Sequence, residues 1–178
     1  MFITTSGINF PGVWGAGIAQ EIRDIFPAAY GKYKGFCDDF EREPGSAHAS
    51  GRLAGQCLII PPQQEDADSG SPAISIVCLF TSYGYGRKTA TKPGRYPKRL
   101  VREQTTRALE QFRSQLDRGF GINEARVGGA PGGAEGEGVR IYSPKFNSAL
   151  FKVPWEDTVT HIQETFRGWK GRWVVLVR

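Results

Sequence analysis

Residues 73–80 read A-I-S-I-V-C-L-F. Ser75 is the single polar residue in the run, and Ile74, Ile76 and Val77 are β-branched. The stretch is too short for a core helix, and it lacks the apolar–polar alternation of a strand with one wet face. It reads as a central strand buried on both faces. A strand of that kind needs helices on both sides, which predicts an α/β fold with a largely parallel sheet.

The flanking sequence fits. Upstream, Gln56–Ile60 is a short apolar run stopped by Pro61-Pro62, hence a second strand. Residues 2–5 (F-I-T-T) end another. Ile18, Ile22, Ile25 and Phe26 share one face of a helix of about ten residues. Pro27 ends that helix or opens the next at its first position. Residues 28–40 suit a weaker helix, with Gly31 and Gly35 against it. Residues 41–54 and 63–72 read as loops. Downstream, Val101, Thr105, Ala108, Leu109, Phe112 and Leu116 form a stripe at helical spacing over 99–117. The Gly-rich stretch 118–138 reads as a surface insertion in an otherwise single domain, 1–178. Residues 139–142 and 172–177 read as strands, and 157–166 as a helix with Val159, Ile162 and Phe166 inward.

Composition removes several function classes. Apolar residues make up 39% and charged residues 23%, the range of a globular protein. No apolar run reaches the roughly 18–20 residues of a membrane span, and the first residues do not resemble a secretory signal. Cys37, Cys57 and Cys78 are an odd number without framework spacing, so free thiols in an intracellular, reducing compartment are expected. The net charge is +5, concentrated in the basic run 87–102. A solvated loop leading into a helix is the simpler reading of that run, and no nucleic-acid partner is expected from it. Attraction of a small anion is the other use of such charge.

The side-chain inventory narrows the chemistry further. The two histidines, His48 and His161, form no paired metal spacing with cysteine or glutamate, so no metal is expected. There is no G-x-S-x-G elbow and no P-loop signature. An arginine six residues after a cysteine, as a cysteine phosphatase needs, is also missing: those positions hold Glu43, Gln63 and Gly84.

In sheets of this class ligands bind beyond the strand C-terminal ends. Three segments fall there. V-W-G-A-G-I-A-Q (13–20) brings Gly15-Ala16-Gly17 into a helix start, where free N–H groups and the helix dipole favour an anion. F-N-S-A-L-F-K-V-P-W (146–155) offers Asn147 and Ser148 as donors over an apolar loop. C-L-F-T-S-Y-G-Y-G-R (78–87) offers Thr81, Ser82 and two tyrosines that could stack on a base. Each segment alone also reads as ordinary packing.

Taken in order, G-V-W-G-A-G-I-A (12–19), F-P-A-A-Y (26–30), C-L-F-T-S (78–82) and F-N-S-A-L-F-K-V-P-W-E (146–156) resemble the macrodomain family, and within it the ADP-ribose 1''-phosphate phosphatases. The resemblance covers nearly the whole chain. It implies a three-layer α/β/α sandwich around a mixed sheet, and a cofactor-free hydrolase acting on an ADP-ribose derivative made downstream of tRNA splicing. A monomer in the cytoplasm or nucleus is expected, with a small-molecule ligand and no membrane. By the same resemblance Gly7, Ile8 and Asn9 would lie along the distal ribose. Trp14, Gly15, Ala16, Gly17, Ile18 and Ala19 would hold the diphosphate and ribose. Asn147, Ser148, Ala149, Leu150, Phe151, Lys152 and Val153 would wrap the phosphates from the other side. Asn9 and Asn147 are the candidate catalytic residues, as positioners of substrate or water, because an amide is a poor base.

The sequence departs from the family pattern in four places. The family's further first strand, with its adenine-contacting residue, precedes the point where Met1 falls, so the sheet is expected to be short of that strand. Ser6 stands about where some relatives have histidine. Ala149 replaces a glycine, and Lys152 stands where Gly or Ala is usual. These departures keep a second reading open, a module that binds ADP-ribose without turnover.

Overall fold

The structure is a computed structural model that describes residues 2–6, 12–15, 17–42, 52–82, 94, 96–119, 138–148 and 151–177. Its elements, in chain order, are β1 (Phe2–Ser6), α1 (Gly17–Ile25), α2 (Pro27–Arg42), β2 (Cys57–Ile60), α3 (Gln64–Asp68), β3 (Ser75–Leu79), α4 (Lys98–Asp117), β4 (Arg140–Pro144), α5 (Trp155–Thr165) and β5 (Arg172–Leu176). The sheet runs β2-β3-β1-β4-β5. β1 pairs in parallel with β3 and β4, and β4 with β5, while β2 lies antiparallel to β3.

The 73–80 stretch does what its composition requires. Every residue of β3 is buried. Val77 and Leu79 face Ala108, Leu109 and Phe112 of α4, together with Ile162 and Phe166 from the α5 segment. Ile76 and Cys78, followed by Phe80, face Trp14, Ile22, Phe26 and Tyr33 around α1 and α2. Alternate side chains on one strand therefore feed two separate cores, which makes three layers.

Two expectations need correction, and a third is met more fully than its glycines suggested. Residues 63–72 are not all loop, because α3 forms within them. α2 is a full helix despite Gly31 and Gly35; both are exposed with open space around them, so they weaken the helix without disturbing packing. Ile25, read as inward, is 50% exposed, whereas Ile22 and Phe26 carry the buried face of this segment. Most of the Gly-rich insertion (120–137) lies outside the described residues, as do 87–93 and 95 of the basic run.

The two sheet edges differ. On β2, the outward Cys57 N–H donates to Gln111 Oε1 of α4 at 2.9 Å, and the Cys57 carbonyl accepts from Gln115 Nε2 at 3.1 Å. No described strand pairs with the outer edge of β5.

Candidate anion and nucleoside site

β1, β3 and β4 are neighbours and parallel, so their C-terminal ends open on one side of the sheet. The chain leaving β1 turns through 12–15 into α1. Gly17 opens α1 with φ +59°, a left-handed value that favours glycine, and the space where a Cβ would point is empty within 4 Å. No acidic residue occupies the first turn of α1. Its leading N–H groups have no acceptor within the helix and carry the positive end of the dipole behind them. Gly15 and Gly17 are exposed, and Ile18 and Ala19 are half-buried.

Trp14 departs from expectation. Its ring is 1% exposed and stacks on Tyr33 (centroids 4.9 Å apart), tilted against Tyr30 at 5.5 Å. The indole is therefore core, and Trp14 itself has only its backbone to offer a ligand.

The chain leaving β4 forms the other wall. Asn147 has φ 64° and Lys152 has φ 54°, both left-handed. Asparagine tolerates that conformation better than most residues. The Asn147 side chain was expected at the ligand, yet it is buried and engaged at both ends. Thr81 Oγ1 donates to its Oδ1 at 2.8 Å, and its Nδ2 donates to Thr105 Oγ1 at 2.8 Å. The amide shapes the loop from beneath, so the expectation that it positions water or substrate directly does not fit this geometry. Ser148 is half-buried, its hydroxyl donating to the Phe146 carbonyl at 3.3 Å. Val153 N–H donates to the Asn147 carbonyl at 3.1 Å and closes the loop on itself. Phe151 and Val153 are buried against Val101 of α4, with Tyr96 packed alongside. Lys152 is exposed.

Gly7, Ile8, Asn9, Ala16, Ala149 and Leu150 lie outside the described residues, as do Tyr83 and Tyr85. Thr81 and Ser82 are buried at the end of β3.

One part of the site escaped the sequence reading. A groove of about 600 Å³ runs between the first turn of α1 and the ends of β4 and β5, lined by Ile18, Pro144, Lys145, Leu176 and Val177. Leu176 and Val177 are 46% and 70% exposed at its rim. The signal was present: ligands bind beyond strand C-terminal ends, and R-W-V-V-L-V carries its apolar pattern past the end of β5. The groove joins an apolar wall and a cation to a helix N-terminus, which suits a ligand with a flat apolar part and an anionic part. Among the described residues no three His, Cys, Asp or Glu side chains gather as a metal site. No described helix is long and apolar enough to cross a membrane.

No family model matches the chain. Curated relatives do. The ADP-ribose 1''-phosphate phosphatase of Neosartorya fischeri is 31% identical over 172 residues, covering 88% of this chain and 78% of that protein. The Aspergillus fumigatus protein of that name is 32% identical over 165 residues, covering 83% and 74%. The Debaryomyces hansenii one is 32% identical over 152 residues, covering 84% and 75%. Among solved structures, the macrodomain of Mycobacterium tuberculosis DarG superposes with a TM-score of 0.60 over 98% of this chain and 86% of that one, at 15% identity. Thermosipho africanus DarTG in complex with ADP-ribose gives 0.62 over 99% of this chain and 38% of that one, at 14% identity. At such identities the structural likeness establishes the fold.

Proposed function

The chain belongs to the ADP-ribose 1''-phosphate phosphatase family and carries the macrodomain fold, and on that premise we propose that it hydrolyses ADP-ribose 1''-phosphate to ADP-ribose and inorganic phosphate. The observation that carries the reading is the joining of one open helix N-terminus, at Gly17, to an apolar groove at Ile18, Leu176 and Val177. The diphosphate would lie over the backbone of Gly15–Ala19 and against the 147–153 loop. The adenosine would enter the groove, and the distal ribose with its phosphate would extend toward Gly7, Ile8 and Asn9.

In the reaction, water attacks phosphorus, the bond from phosphorus to the 1'' oxygen breaks, and that oxygen takes a proton as it leaves. The backbone N–H groups of α1 stabilise the anionic ligand in a fixed orientation, and preorganised donors of this kind lower a barrier without moving during the reaction. Asn9 is the proposed positioner of water or substrate. Asn147 holds the loop rather than the ligand. We place the reaction downstream of tRNA splicing, inside the cell, in a protein acting as one monomeric domain.

Purified protein should release phosphate from ADP-ribose 1''-phosphate, and Asn9→Ala should lower that rate by on the order of a hundredfold, the usual effect of losing one positioning donor. A second reading, binding of ADP-ribose without turnover, is favoured by the internal engagement of the Asn147 amide. Calorimetric binding of ADP-ribose with no phosphate release at the same protein concentration would select it. No binding at millimolar ADP-ribose would overturn both.

A further inference from the structure

We infer that Thr105, in the second turn of α4, and Thr81, just after β3, are positioning residues for the 147–153 loop and act through Asn147. The inference rests on the reading of that loop as a wall of the ligand site.

The three side chains form one buried relay. Thr81 is 0% exposed, Thr105 1% and Asn147 5%. The Thr81 hydroxyl donates to Asn147 Oδ1, Asn147 Nδ2 donates to Thr105 Oγ1, and the Thr105 hydroxyl donates to the Val101 carbonyl at 2.7 Å. The donor directions are consistent from end to end. That fixes which end of the amide carries oxygen and leaves neither hydroxyl proton unused.

The residue types matter. If packing alone set position 105, valine would fill the same volume. A buried hydroxyl is unfavourable unless bonded, and Val101 alone already satisfies the Thr105 proton. The acceptor side of the same oxygen takes the bond from Asn147 Nδ2. The relay also joins the right segments. It links the exit of β3 and the start of α4 to a residue held at φ 64°. Asn147 in turn accepts from Val153 N–H, so its conformation fixes both ends of the loop. Val101, one turn before Thr105, packs on Phe151 and Val153 from the same helix. The first turns of α4 therefore clamp the loop by an apolar contact and a polar one together. Without the relay, the left-handed Asn147 loses both side-chain bonds that hold it, and the Val153 N–H loses a fixed acceptor.

The test compares Thr105→Val with Thr105→Ser. Leu116→Ala, in the core at the far end of α4, serves as a control of at least comparable destabilisation. Two quantities are read under native conditions: exchange of the Val153 amide hydrogen by NMR, and ADP-ribose affinity by calorimetry. Thr105→Val should speed Val153 exchange at least tenfold and weaken ADP-ribose at least tenfold. Thr105→Ser should stay within about threefold of the parent in both, and Leu116→Ala should leave affinity unchanged. Unchanged Val153 exchange in Thr105→Val overturns the inference. So does faster exchange with unchanged affinity, because Thr105 would then be structural only. A parent protein that binds no ADP-ribose sinks the functional reading separately, and the Val153 exchange still decides whether the relay holds the loop.

Discussion

At the scale of single residues, the way a side chain turns decides what it can offer a ligand. Trp14 and Asn147 both sit in the expected stretches, yet both turn inward, one onto Tyr33 and the other onto Thr81 and Thr105. Spacing carries no information about which way a loop side chain rotates once its backbone leaves regular structure. Lys152 is the opposite case. The resemblance marked it as standing where Gly or Ala is usual, and the structure supplies the physics: φ there is 54°. A left-handed residue with a Cβ costs about 1–2 kcal/mol. Glycine removes that strain but loses more entropy on folding, by about 0.5–1 kcal/mol. Lys152→Gly should therefore raise stability by about 0.5–1 kcal/mol, seen as a higher urea midpoint with unchanged slope. Lys152→Ala keeps the strain and removes the stem with its cation, so the pair separates backbone from side chain. A fall in midpoint for the glycine variant would mean the lysine stem contributes packing that outweighs its strain.

At the scale of elements, the longer helices were legible and the five-residue α3 was not. The α4 stripe is buried at each position read from the sequence. α3 was the miss, while α2, read as a weaker helix over 28–40, forms over Pro27–Arg42, and the two are tied together. α2 starts at Pro27, which has no N–H, and the next two donors, Ala28 and Ala29, bond to Asp66 Oδ1 and Oδ2 at 2.8 and 3.0 Å. Asp66 belongs to α3 and is buried. The cap of α2 thus comes from a distant part of the chain, where no local signature can report it. The same two bonds fix α3 against α2. A carboxylate at a helix N-terminus also gains from the dipole. Asp66→Ala should cost on the order of 2–3 kcal/mol, as two donors lose a charged acceptor in a buried place. Asp66→Asn, which keeps one acceptor oxygen, should cost about half of that. Equilibrium urea unfolding measures both, and an alanine variant within 0.5 kcal/mol of the parent, the ordinary range for a neutral surface change, would refute the cap.

At the scale of the whole molecule, the α/β class followed from one doubly buried strand, and strand order did not. A single sequence says which runs are strands but not which edges meet, so the placing of β1 between β3 and β4 and the antiparallel β2 had to come from the fold itself. The two cores on either side of that sheet share a chemical property. Cys57 lies in the layer beneath α4, while Cys78 and Tyr33 lie in the layer beneath α2. Burial pushes both thiols well above their ordinary value of 9.0. It does the same to the Tyr33 phenol relative to 10.0, with nearby Cys37 adding to the shift. Each group is an acid whose neutral form the folded state retains. The unfolded chain gives up these protons first as pH rises, so stability is complete below about 9 and is lost progressively above it. Each thiol contributes a slope of about 1.4 kcal/mol per pH unit in that range. Urea midpoints should accordingly be flat through neutral pH and fall steeply from 9 toward 10.5. Cys78→Ala should lower the neutral plateau through its cavity and make the alkaline fall shallower by one thiol's share. The same burial predicts that the native thiols resist iodoacetamide at pH 8 and react after unfolding. Rapid native labelling of Cys57 or Cys78, or an alkaline slope unchanged by Cys78→Ala, would show that these thiols reach solvent and that the two layers are less tightly closed than their burial indicates.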